Sequence, residues 1–148
     1  MNTQEQNLTN DEKTLSMFSH FSLLIGGIIL PLIIWAIKKD DSKFVRFHSL
    51  QSIFYHIAFV IAVIAYSMFF LFMILATGVG MDVFKKSGHH SDPPILFIMV
   101  IIVLGLGFLL LALGGAGYSI YVGLKAGKGE LCKIPIIGKK VYDHVYKK

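Results

Sequence analysis

Three long stretches without a single Asp, Glu, Lys or Arg decide most of what this chain can become: 15–37, 53–78 and 95–124. A helix rises 1.5 Å per residue, so the shortest reaches roughly 35 Å, against a bilayer hydrocarbon core of about 30 Å. Each stretch is therefore expected to cross a membrane. The composition then makes sense: 55% hydrophobic and 16% charged residues, against about 45–50% and about 25% in soluble domains. The expected fold is an all-α integral membrane helical bundle of about three transmembrane helices, with a kinked first span and an amphipathic C-terminal tail. The expected segments are a polar N-terminal tail at 1–14, a three-span transmembrane domain at 15–127 and a basic amphipathic tail at 128–148.

Local signals refine the spans. Thr9 or Asn10 can cap the first helix, with Asp11 and Glu12 in its first turn, where negative charge suits the helix dipole. Gly26-Gly27 and Pro31 fall inside the first block and predict a bend. If that break is complete, the block becomes a re-entrant hairpin instead of a span. Asp41 or Ser42 caps the second helix, which is expected to start in water before its apolar part, and Pro93-Pro94 opens the third. The polar amino end lacks the basic region of a secretory signal, so the first block is expected to be retained.

Lysine and arginine placement sets orientation. Lys38, Lys39, Lys43 and Arg46 lie in the first connection, and Lys125, Lys128, Lys133, Lys139, Lys140, Lys147 and Lys148 in or beside the tail. Only Lys13, Lys85 and Lys86 fall on the other side of a three-span arrangement. The first loop and the C-terminus are thus expected in the cytoplasm, with the chain in the bacterial inner (plasma) membrane. A net charge of +5 could suggest nucleic acid, but the lysines stand beside apolar spans, where anionic headgroups are the nearer partner. No nucleic-acid partner is expected.

At about 100° per residue, the second helix sorts into two sides. His48, Gln51, Ser52, Tyr55, His56, Phe59, Ala62 and Tyr66 gather on one, expected to face protein, because polar groups in lipid gain by turning to a neighbouring helix. Ile53, Ile57, Val60, Ile61, Ile64 and Met68 form the expected lipid side. In the third block Gly105, Ala112, Ala116, Ser119 and Gly123 line a small-residue stripe suited to close helix approach. It could serve this chain's own packing or a seam for another subunit. In the tail, Val141, Tyr142, Val145 and Tyr146 share one side, with lysines around them, which reads as a helix lying at anionic headgroups.

Little here carries chemistry. His20 and His56 are expected at different depths, which argues against a shared haem or metal site. His89, His90 and Asp92 could ligate a metal, but in a Gly/Ser/Pro loop they read as solvated. Cys132 is the one cysteine, so neither an internal disulfide nor a cysteine metal motif is expected. No nucleophile–base signature or phosphate loop is present. No catalytic residue, cofactor or metal is expected.

Two stretches carry a family resemblance. Pro31-Leu32-Ile33-Ile34-Trp35, Lys38-Lys39-Asp40, then Phe44-Val45-Arg46-Phe47-His48 and Gln51 resemble a family of small bacterial membrane proteins of unknown function, grouped with the twenty-kilodalton Tic subunit of chloroplast import. Lys125-Ala126, Gly129-Glu130 and Pro135 look like its closing motif, so the likeness covers 15–138. Where the family continues into an Asn-Phe-Gln-like triplet, this chain has Phe54, Tyr55 and His56. The resemblance implies a small helical membrane bundle and leaves His48 and Gln51 as the positions to watch. The expected role is a non-enzymatic interaction or accessory subunit, with the lipid bilayer and a membrane-protein partner or a second copy as partners. An oligomeric transport or translocation component is the alternative, and a histidine-based haem or metal protein a remote one.

Overall fold

The structure, a computed structural model, describes residues 8–25, 27–86 and 95–147, with side chains described for 8–25, 27–78, 95 and 97–147. Its regular elements are all helical: α1 (Asn10–Ile25), α2 (Ile29–Lys38), α3 (Lys43–Lys86), α4 (Ile95–Gly127) and α5 (Ile137–Tyr146). His89, His90, Asp92 and Pro93-Pro94 lie outside the described residues.

The first apolar block does not form one crossing helix, which corrects the three-span expectation. α1 ends where Gly27 adopts φ +55 and returns its N–H to the Ser22 carbonyl at 2.6 Å. That left-handed conformation is cheap only for glycine and terminates a helix. The pieces are 16 and 10 residues long, roughly 24 and 15 Å, so neither reaches across a hydrocarbon core. Two helices are long and apolar enough to cross: Lys43–Gly78 within α3 and Phe97–Gly127 within α4.

The break is a full reversal. His20 meets His48, Ser19 meets Ser52 and Ser22 meets His56, so α1 and α3 run in the same direction. α2, joined to α3 by the short turn 39–42, must therefore run back between them in direction. Consistently, the start of α1 lies beside the end of α2: the Ser42 hydroxyl, the Thr9 backbone and the Lys38 charge hold the Glu12 carboxyl below the usual carboxylate range. The first block is thus a helical hairpin that reverses at Gly27, and the α2–α3 turn at 39–42, the chain's first described residues and the tail share the opposite end. Lys13, expected opposite the basic loops, instead places its Cε beside Gly129.

Caps follow the sequence. Thr9 and Glu12 form a reciprocal capping box: Thr9 N–H donates to Glu12 Oε2 at 2.8 Å, and Glu12 N–H to Thr9 Oγ1 at 3.2 Å. Ser42 Oγ accepts from Val45 N–H at 3.3 Å and caps α3. Because Glu12 titrates low in the folded chain, its contribution to the hairpin is present above the ordinary carboxylate range near about 4.3 and disappears as pH falls through the folded value. Amide exchange in residues 9–16 is therefore expected to speed up selectively under acid, and Glu12→Gln to remove that acid dependence. Equal acid sensitivity in the variant would refute the assignment.

Two compact units divide the chain: Met1–Phe59 with Gly115–Lys148, and Val60–Gly114. In the second, Tyr66 Oη donates to the Leu104 carbonyl at 2.7 Å, and its hydroxyl occupies the space that a side chain at Gly107 would need. Leu75, Phe72 and Met68 on α3 and Leu110 and Leu113 on α4 stand more than half exposed, as lipid-facing side chains do in a chain taken without its bilayer.

Candidate functional site

The first unit is built around polar side chains. Ser16, Ser19, His20, Ser22, His48, Ser49, Gln51, Ser52, His56 and Ser119 are buried, most of them completely. Burying such groups is costly unless each finds a partner; most partners here are backbone carbonyls of the same or a neighbouring helix, while Ser16 Oγ, Ser49 Oγ and His20 Nδ1 find none among the described residues. Ser119 Oγ donates to the His20 carbonyl at 2.7 Å. Ser22 Oγ donates to the Ser19 carbonyl at 2.7 Å, which also accepts from Ser52 Oγ. Tyr55 Oη donates to the Gly115 carbonyl at 2.8 Å.

Two histidines form the centre of this set. His20 Nε2 lies 3.3 Å from His48 Nδ1, and His48 Nε2 lies 3.2 Å from the Glu130 carbonyl. A carbonyl only accepts, so His48 carries its proton on Nε2; with both rings neutral, His48 Nδ1 then accepts from His20 Nε2–H. The ring centroids are 5.5 Å apart, so the rings meet end-on, nitrogen to nitrogen. That is the geometry of a hydrogen bond, whereas a shared metal would sit at the apex of an angle. Phe44 and Phe47 close over His48 edge-to-face, with centroids at 4.6 and 5.0 Å. His56 is separate: its Nδ1 donates to the Ser52 carbonyl at 2.6 Å, while Nε2 stands 3.5 Å from Ser22 Oγ.

His48 and Gln51 together hold the segment that follows α4. Gln51 Nε2 donates to the Cys132 carbonyl at 2.9 Å, and its Oε1 accepts the Ile134 N–H at 3.0 Å. One amide thus pairs with two backbone groups two residues apart, as a neighbouring strand would. Gly138 completes the contact, because a Cβ there would meet Gln51 Oε1 at 2.6 Å and the Lys133 backbone at 2.7 Å. Beyond it α5 packs Val141 and Val145 on Phe47. This corrects the expectation for the tail: its apolar side is given to α3, not to lipid. Tyr142 and Tyr146 stack at 4.8 Å, Lys133 Nζ lies 3.4 Å from the Tyr142 ring centroid, and burial pushes the Tyr146 phenol up to about 12. Burial likewise pushes the Cys132 thiol up, away from the thiolate that reactive cysteines require.

The remaining expected positions divide. On α4, Ser119 and Gly123 are buried; a Cβ at Gly123 would meet the Phe21 ring at 2.6 Å and His20 Cβ at 3.3 Å. Ala112 and Ala116 are half-buried, and Gly105 has nothing within 4 Å. The stripe is therefore not one surface. On α3, Ile53 is buried although its apolar character suggested lipid, and Ala62 is exposed although its side suggested protein. Sequence reasoning missed the face of α1 that bears Ser16, Ser19, His20 and Ser22. Its signal was the confinement of every polar residue of that block to one short run.

The sequence pattern of the magnetosome magnetite crystal formation protein family (MamF and MmsF) matches residues 11–141. The chain belongs to that family. No curated protein and no solved structure matches it. The match spans the hairpin, both long apolar helices and the start of α5, so every polar side chain of the core named above lies within it. Membership in the MamF/MmsF family agrees with the expectation of a small membrane protein and supplies a description where none was expected. It lends nothing to the likeness to the chloroplast import subunit. Among the described residues of this family member, no group of three or more His, Cys, Asp or Glu side chains is arranged to hold a metal.

Proposed function

We propose that this chain is a non-enzymatic accessory subunit that binds a membrane-protein partner or a second copy of itself through the outward side of α4. Membership in a magnetosome membrane family supports a role in the bilayer, and the use of its polar side chains supports a structural one. His48 and Gln51, the side chains best suited to chemistry, spend their nitrogens and oxygen within the chain, on its backbone and on His20. Of the process the family is described by, magnetite crystal formation, the part that fits this build is a membrane-embedded support.

The observation that carries the reading is Gly117. It has no neighbour within 4 Å, and Tyr121 and Leu124, one and two turns on, are 51% exposed. A bare backbone flanked by large side chains is a surface that another transmembrane helix can approach closely. The charge rule supports placing the α2–α3 turn and the tail in the cytoplasm, at the inner membrane, with the tail lysines at anionic headgroups.

Gly117→Ile is expected to leave thermal unfolding in detergent unchanged, because nothing in the fold occupies that space, and to weaken association about tenfold. Crosslinking in native membranes followed by co-purification reads it. A wild-type protein recovered as a clean monomer without partner would end the proposal.

A further inference from the structure

The corner where α2 turns into α3 holds two nitrogen donors that its own carboxylates, Asp41 paired with Lys38 and Glu12 held by Thr9 and Ser42, do not reach. Trp35 Nε1 and Arg46 Nε are buried and without a hydrogen-bond partner among the described residues, and so is Ser49 Oγ, one turn beyond Arg46. Indole and guanidinium nitrogens only donate, so neither can satisfy the other; each requires an acceptor from elsewhere. Arg46 is half-buried, and the described carboxylates that pair do so with Lys38, Lys125 and Lys147. A half-buried guanidinium without a counter-ion is an expensive thing to keep.

Position supplies the missing half of the contact. The turn at 39–42 sends α3 back along α2, so Trp35, four residues before Lys39, and Arg46, four after Ser42, stand at about the same height above the turn. Lys38, Lys39 and Lys43 mark that height as the membrane–water boundary. The acceptor abundant at this depth is the phosphate of a phospholipid, and a guanidinium can bind it through two parallel hydrogen bonds. The tail has an orphaned donor too, Tyr146 Oη, but its charges are lysines, point charges that cannot offer a phosphate the paired donors of a guanidinium.

We propose that the α2–α3 corner is a binding site for the phosphate of an anionic phospholipid headgroup, held by Arg46 and the indole N–H of Trp35. The shared chemistry is a phosphate anion, and the corner's position at the boundary assigns it to lipid, not to a soluble ion.

Trp35 is the chain's single tryptophan, so its fluorescence reports this corner without a label. The full-length protein in a neutral detergent is titrated with phosphatidylglycerol, phosphatidylcholine and inorganic phosphate in separate series. A saturable change with phosphatidylglycerol is expected, with a midpoint at least about tenfold higher for phosphatidylcholine, whose own ammonium competes with Arg46. Arg46→Gln is expected to weaken the phosphatidylglycerol response about tenfold and Arg46→Lys less, since lysine keeps the charge and loses the fork. Lys139→Ala with Lys140→Ala is expected to leave it within about twofold. Equal midpoints for the two lipids, an Arg46→Lys variant as weak as Arg46→Gln with the tail variant equally weak, or saturation by inorganic phosphate alone would each overturn the headgroup assignment. Circular dichroism confirms that each variant is folded, and the wild-type comparison of lipids stands even if Arg46→Gln is not.

Discussion

Gly138→Ala is expected to release the tail from α3 and to raise tryptic cleavage at Lys139 and Lys140 by more than about tenfold. Helix propensity alone predicts the opposite, because alanine is favoured over glycine inside a helix by about 1 kcal/mol, and Gly138 is the second residue of α5. Space decides against propensity. The new methyl would lie 2.6 Å from Gln51 Oε1 and 2.7 and 2.8 Å from Lys133 Cα and C. Two of those atoms are backbone and have no rotamer to change, and the third already accepts the Ile134 N–H. The strain is relieved most easily by lifting the segment away. That movement breaks both Gln51 hydrogen bonds and uncovers Phe47, Val141 and Val145, buried to 5% exposure or less. Each such side chain is worth about 1.5–3 kcal/mol when fully covered, so the loss outweighs the gain in propensity. Gln51→Leu is expected to give the same cleavage pattern by a different route, orphaning the Cys132 carbonyl and the Ile134 N–H at about 1–3 kcal/mol each. A Gly138→Ala protein cleaved at the wild-type rate would show that the tail is not held at this point.

How much of this was legible depends on whether the relevant physics is local. The helices, the Thr9–Glu12 box and the cap at Ser42 could be read directly, because each is written within four residues. The polar side of α3 from His48 to His56 could be read too, since helical periodicity alone gathers it. The reversal at Gly27 was visible only as an alternative, because a bend and a hairpin use the same residues and the choice depends on what α1 meets afterwards. That partner is distributed: His48 on α3 and Ser119 on α4, 28 and 99 residues from His20. The destination of the tail was misjudged for a related reason. Valines spaced at helical intervals among lysines suit a lipid surface and a protein groove equally well, and only Phe47 and the Gln51 clamp distinguish the two. Periodicity tells that a face is apolar; it does not tell what covers it.

Substituting the two central histidines singly and together is expected to give strongly non-additive losses of stability. His48→Leu fills most of the ring's volume, yet it leaves the buried His20 Nε2–H and the part-buried Glu130 carbonyl without their partner. His20→Leu removes the donor to His48 Nδ1 and keeps the rest. Each orphaned buried group costs about 1–3 kcal/mol, so either single change should be severe. The double change removes donor and acceptor together, and only the Glu130 carbonyl remains to be satisfied. The double variant is therefore expected to be less destabilised than the sum of the singles by more than about 1 kcal/mol, the range of residues in direct contact. Hydrogen bonds between membrane helices average about 0.6 kcal/mol, because side chains in the unfolded state also find partners in the bilayer. A coupling clearly above that average would mean that the end-on pair is fixed by its surroundings, with Phe44 and Phe47 packed edge-to-face against His48 and Ser119 tied to the His20 backbone. Reversible unfolding of the four proteins in mixed detergent micelles supplies the cycle, with the tail's tryptic pattern showing whether Glu130 has moved. Additive losses would mean that the two rings are neighbours without being partners, and the polar core would then owe its order to the bonds that its side chains make to the backbone.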